Sequence, residues 1–139
     1  MEMFSAFSKV NVWAVILAGI TYLIIGALWY SPLLFGKIWI KLNGFTDEDF
    51  KSNKPMWMIT LLSFLSACVI TTVVSMILGP NPNAPFGAII GFCISVFWVT
   101  TSKLTSVLFE NQPVKLYLLH AGFDIVSFMV MGAIIGYWR

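Results

Sequence analysis

An all-α integral membrane protein, built as a four-helix bundle with a short amphipathic interfacial helix between its first and second spans, is predicted by three features of this sequence. Hydrophobic residues make up 59% of the 139 and charged ones only 10%, against about 25% charge in an ordinary soluble domain. Mean hydropathy is +0.89. Four apolar stretches, residues 10–30, 56–78, 86–109 and 114–138, are each long enough to cross the bilayer as a helix, which takes about 20 residues for roughly 30 Å of hydrocarbon. A transmembrane barrel would show short alternating segments instead. The spans and their connections use nearly the whole chain, so a single membrane domain over 1–139 is expected.

The first span follows Lys9 and could be mistaken for a signal peptide. Its apolar run exceeds a usual h-region and ends in the bulky Trp29-Tyr30-Ser31-Pro32 without a small-residue cleavage site, so it reads as a retained helix. In the connection 31–55, Leu34, Phe35, Ile38, Trp39 and Leu42 recur at helical spacing while Gly36, Lys37 and Lys41 interrupt them. That pattern describes a short helix lying at the interface. Trp29, Tyr30 and Trp39 are expected to form the inner aromatic belt. Asn43-Gly44 reads as a stop, and Thr46-Asp47-Glu48-Asp49 as the capped, acidic start of another brief helix. Contiguous carboxylates without further ligand spacing suit a solvated helix start better than a metal site.

The second span carries Ser63, Ala67, Thr71 and Ser75 every four residues, and the third carries Gly87, Gly91 and Ser95. Gly132 and Gly136 do the same on the fourth. Small residues at this spacing let membrane helices approach closely, and there are more such seams than one tight bundle needs, which points to a homo-oligomer. The proline-rich run Gly79 to Pro85 makes a stiff, uncharged break between the second and third spans. Glu110, with Asn111 and Pro113, reads as an interfacial, acidic start to the fourth helix. Cys68 and Cys93 lie in different spans at different depths, so free thiols are expected.

Six of the eight basic residues, Lys37, Lys41, Lys51, Lys54, Lys103 and Lys115, fall on one side, against Lys9 and Arg139 on the other. The bias favours a cytoplasmic connection 31–55 and both termini outside the plasma (bacterial inner) membrane.

The run Trp29-Tyr30-Ser31-Pro32-Leu33-Leu34-Phe35-Gly36-Lys37, the following Leu42-Asn43-Gly44-Phe45-Thr46, Leu108-Phe109-Glu110 before Pro113, and the closing Val130-Met131-Gly132-Ala133 resemble a family of short, mainly bacterial four-helix membrane proteins catalogued as domain of unknown function 1761. The likeness spans nearly the whole chain. It implies a fold and a membrane location and transfers no activity or site.

Ionisable groups in lipid are expensive and usually face a bundle interior, and Asp124 and His120 stand one helical turn apart in the fourth span. At about 1.5 Å per residue, Tyr22, Ser63, Lys103 and His120 share a layer roughly 10–12 Å from the cytoplasmic helix ends, with Asp124 about 6 Å deeper. The third and fourth spans are antiparallel neighbours, so Lys103 and Asp124 are a candidate buried ion pair. Lys103 snorkelling to the headgroups is the bland alternative. Buried polar groups can also lock helix register without doing chemistry. Thr100, Thr101, Ser102, Thr105 and Ser106 bond back to their own helix by default, with a water-lined face as the alternative.

Phosphate loops, zinc-protease motifs, paired cysteines and nucleophile elbows are missing from the sequence, so neither an enzyme nor a bound cofactor or metal is expected. A net charge of +2 with topogenic lysines gives no reason for nucleic-acid binding. Two functions remain. One is proton-linked or small-solute permeation through a polar site of Asp124, His120, Lys103, Tyr22 and Ser63, which needs a homo-oligomer or a cavity between protomers because one bundle filled by Trp, Phe and Met leaves little room for a pathway; the other is a non-catalytic accessory or structural subunit of a membrane complex. The expected partners are the lipid bilayer, further copies of the chain, and in the second case another membrane protein.

Overall fold

The computed structural model describes residues 2–44, 54–79 and 81–138, apart from the side chain of Met3, and every regular element among them is helical. In order these are α1 (Glu2–Ser8), α2 (Val12–Trp29), α3 (Gly36–Asn43), α4 (Met56–Ile77), α5 (Ala84–Ile94), α6 (Thr100–Phe109) and α7 (Val114–Trp138). A π turn over Ser95–Val99 joins α5 to α6. Four helices are long and apolar enough to cross a membrane, Val12–Trp29, Met56–Ile77, Ala84–Phe109 and Val114–Trp138, each bounded within two residues of the sequence expectation. Their outward faces expose Leu17, Ile24, Leu62, Ile89 and Leu118, as a lipid-facing surface requires.

Local chemistry explains the helix ends. Asn11 caps α2 by accepting from the Trp13 and Ala14 amides, and its own amide donates 2.7 Å to the Trp138 carbonyl, tying the start of α2 to the end of α7. Asn83 caps α5 by accepting from the Phe86 amide at 2.8 Å. The interfacial helix α3 begins at Gly36, two residues later than the apolar spacing suggests. The chain first makes a tight turn in which the Phe35 amide donates to the Trp29 carbonyl and the Gly36 amide to that of Ser31. A Cβ on Gly36 would collide with the Tyr30 and Ser31 carbonyls, which accounts for the glycine in that run. The expected stop at Asn43-Gly44 is the end of α3, with Gly44 left-handed at φ 67°. The acidic helix expected at Thr46 to Asp49 lies outside the described residues, whereas α1 was not anticipated at all.

The last span, α7, is the axis of the bundle and buries twice the share of its apolar window that the other spans do. It packs most extensively on α5, then on α2, and less on α4, while α2 and α4 also pack on each other. The α5–α7 seam is set by glycine. Gly87 lies against the Gly132 backbone, Gly91 against the Phe128 carbonyl and Gly136 against Asn83, each so close that a Cβ would overlap backbone. On α4, Ala67, Thr71 and Ser75 are buried as well. Of the small-residue seams that suggested a homo-oligomer, the one between α5 and α7 is therefore occupied inside one protomer, while Ser63 at the start of the α4 seam is half-buried. At the end away from the α6–α7 turn, Ala14, Val15, Val74, Leu78 and Ile135 form an apolar plug.

Candidate functional site

The register of the α5–α7 seam places the site. Pairs 83/136, 87/132 and 91/128 run antiparallel, and the next step sets Ser95 opposite Asp124. At Ser95 the π turn begins, with the Thr100 amide bonding five residues back to the Ser95 carbonyl. Such a turn disturbs the regular carbonyl–amide ladder. Here neighbouring hydroxyls bond to the displaced carbonyls: Thr100 donates to Val96 at 2.7 Å, Thr101 to Phe97 and Trp98 at 2.9 and 3.0 Å, and Ser102 to Val99 at 2.9 Å. These three hydroxyls thus bond to their own helix. Beyond the turn, α6 packs on α7 much less than α5 does.

Across that looser contact, the Lys103 ammonium donates 2.6 Å to Asp124 Oδ2. A helical side chain leans toward its own N-terminus, so Lys103 reaches back along the span to the deeper aspartate. The pair is unequal: the Asp124 side chain is 5% exposed and that of Lys103 49%. The expectation of an ion pair buried on both sides is corrected accordingly, because the lysine sits where α6 has moved off the bundle. A second tie between α6 and α7 is the Tyr117 hydroxyl, which donates 2.8 Å to the Thr100 carbonyl.

His120 stands one turn from Asp124 but takes a different partner: its Nδ1 shares a 2.6 Å hydrogen bond with the Tyr30 hydroxyl at the end of α2. Tyr30 packs on Phe123 and Trp39 with ring centroids 5.4 and 5.2 Å away, and the Trp29 indole donates 3.2 Å to the Leu119 carbonyl. The residues read as an interfacial belt, Trp29, Tyr30 and Trp39, are therefore half-buried and turned toward the bundle, with Trp29 and Tyr30 bonded to α7. The physical reason is the tight turn after Pro32, which folds α3 back beside α7. Tyr22 packs on Phe123 at 5.2 Å and lines a groove together with Lys103 and Asp124. Ser63 is half-buried on α4 and belongs to neither that groove nor the polar cavity beside it. Glu110 ends α6 and does not start α7; it is exposed and accepts from the Gln112 side chain at 2.6 Å.

Lys103 borders two cavities. One, of about 280 Å³, is a polar vestibule at the α6–α7 turn, lined by Glu110, Gln112, Tyr117 and His120 among others. The other, of about 460 Å³, is an apolar groove between α4 and the Ser95–Val99 region, reaching Ile77 at its far end and Asp124 on its floor. Beside and beyond Asp124 the interior holds further polar groups. Ser95 and Ser127 are fully buried, and their hydroxyls have no partner among the described residues. Thr71 Oγ1 lies 3.6 Å from the sulfur of the buried Met131. Ser127 stands three residues after Asp124 on the same helix, whereas Ser95 is brought opposite only by the seam register.

Four apolar spans, three of them packed around the fourth, make this a multi-pass helical membrane protein. The family model described as protein of unknown function (DUF1761) matches residues 13–136, and the chain belongs to that family. No curated protein and no solved structure matches it.

Proposed function

We propose that this is a non-enzymatic protein in which Lys103 and Asp124 form a polar site inside the membrane for proton-linked movement of a small solute. One observation carries the reading: Lys103, paired to a buried carboxylate, is the residue shared by a polar vestibule and an apolar groove. An intramembrane ionisable pair with access from two sides can change partners as a proton or solute arrives. His120 and Tyr30 extend the vestibule's hydrogen-bonding groups. The buried hydroxyls of Ser95 and Ser127 extend the polar interior beside Asp124, and beyond them the apolar layers of Ala18, Phe128 and Met131 and then of Val15, Val74, Leu78 and Ile135 act in this reading as the closed side. In this reading copies of the chain assemble as a homo-oligomer, each with its own Lys103–Asp124 pair. The reading places the protein in the plasma membrane with both termini outside, on the strength of the lysine bias.

The test is proton flux into proteoliposomes carrying an entrapped pH-sensitive dye. The natural chain is expected to dissipate an imposed pH gradient faster than protein-free vesicles, and a folded Lys103→Met/Asp124→Asn double variant to lose that excess. Equal flux from the two proteins would overturn the proposal. A second reading, an accessory subunit in which the pair is only a lock, is favoured by one observation: α6 packs sparsely on α7, and the ion pair and the Tyr117 bond are side-chain ties between them. That reading predicts no excess flux from either protein.

A further inference from the structure

We infer that the groove takes up a medium-chain carboxylic acid from the bilayer, its alkyl chain lying along α4 and its carboxyl group meeting Lys103 and Asp124. The inference rests on the proposed role of the pair as a solute site and names the solute class.

Three observations lead to it. The groove is apolar almost throughout, walled by Val69, Val73 and Ile77 on one side and by Ile94 and Trp98 on the other, and its charged groups are the Lys103–Asp124 pair. Its volume of about 460 Å³ falls within the range of small-molecule sites. Along α4 the wall from residue 69 to residue 77 rises about 12 Å, which suits an extended chain better than a compact solute. The groove also faces lipid: α4 does not pack appreciably on α5 or α6 among the described residues, and Val69, Val73 and Trp98 are exposed. A ligand can enter sideways without crossing either bilayer surface.

The chemistry of the head follows from the pair. An ammonium has three N–H donors, and Lys103 places one on Asp124. Its remaining donors, on a side chain that is half exposed, suit an acceptor-rich headgroup. Charge then selects among such heads. A quaternary ammonium would sit against like charge, and a head that must stay anionic would add uncompensated charge in a low dielectric. A neutral carboxylic acid avoids both. Its O–H bond breaks as its proton passes to an Asp124 carboxylate oxygen, an O–H bond forms there, and the ligand carboxylate takes the place of Asp124 beside the Lys103 ammonium. The site carries zero net charge before and after, and one proton is bound with each ligand.

The experiment uses the full chain in zwitterionic nanodiscs with a photoreactive diazirine analogue of decanoic acid, mapping labelled residues by mass spectrometry. Labelling is expected along residues 69–77 of α4 and at Trp98, competed by decanoic acid and not by decanol or decyltrimethylammonium. Val73→Trp, which fills the groove and leaves the ion pair in place, should reduce labelling about tenfold, as should the Lys103→Met/Asp124→Asn double variant. Equal competition by decanol, or labelling unchanged in either variant, would overturn the inference. Proton flux measured on the same preparations separates the two proposals: flux that depends on the pair while the acid fails to label keeps the site and removes this solute, whereas pair-independent flux removes the site itself.

Discussion

Breaking the Lys103–Asp124 pair from its two ends should have unequal effects, and the inequality follows from burial. Removing one member of a buried ion pair costs about 3–5 kcal/mol, because the other is left charged and unsolvated, whereas exposed pairs are worth about 0–1 kcal/mol. Lys103→Met leaves a carboxylate on a short side chain only 5% exposed, so the full cost of about 3–5 kcal/mol is expected. Asp124→Asn leaves an ammonium that is already 49% exposed on a flexible stem able to turn toward the vestibule. Because that stem can carry the ammonium through the vestibule toward the headgroups, its cost should be smaller, about 1–2 kcal/mol. Combining the two substitutions removes both charges and should return stability to within about 1 kcal/mol of the natural protein, with a clear coupling energy between the sites. Reversible unfolding in mixed detergent micelles, followed by tryptophan fluorescence, measures all four proteins. If Asp124→Asn is as damaging as Lys103→Met, or the double variant shows the sum of the single losses, the account of a half-buried pair with aspartate as its buried member is wrong. The same double variant is the folded control on which the flux and labelling experiments depend.

The glycine seam should tolerate no side chain: Gly132→Ala drives a methyl into the Gly87 carbonyl and is expected to lower stability by about 3 kcal/mol, at the upper end for overpacking, in the same unfolding assay. Because that seam lies within one protomer, the loss should be independent of protein concentration; a concentration-dependent loss would place the seam between copies. For topology, a membrane-impermeant maleimide applied to intact cells should label a cysteine introduced at Ser5 and not one at Lys37, both exposed positions on opposite ends of the first span. The reverse pattern would invert the assigned orientation.

The spans were legible from composition and spacing, because bilayer thickness imposes a length on every crossing helix, and lipid penalises every stray charge among them. Asp124 stood out for that reason, and antiparallel adjacency of the last two spans was enough to suggest Lys103 as its partner. Hydrophobic spacing carries no information on which face meets which neighbour. The seams on α5 and α7 therefore read as a surplus until the register 87/132 and 91/128 showed them closed on each other. Trp29 and Tyr30 read as lipid anchors because aromatic residues at a span end usually are, and only the turn through Phe35 and Gly36 brings them onto α7. The π turn at Ser95 was hidden as well, although the hydroxyl run at Thr100, Thr101 and Ser102 that bonds to its carbonyls was in plain view. Sequence by itself determined that the chain crosses a membrane four times and which ionisable residues must find partners there. Only the tertiary structure decided that Asp124 is enclosed while Lys103 opens onto two cavities, because that depends on α6 leaving the α7 seam at one inserted residue, a displacement of packing that no periodicity records.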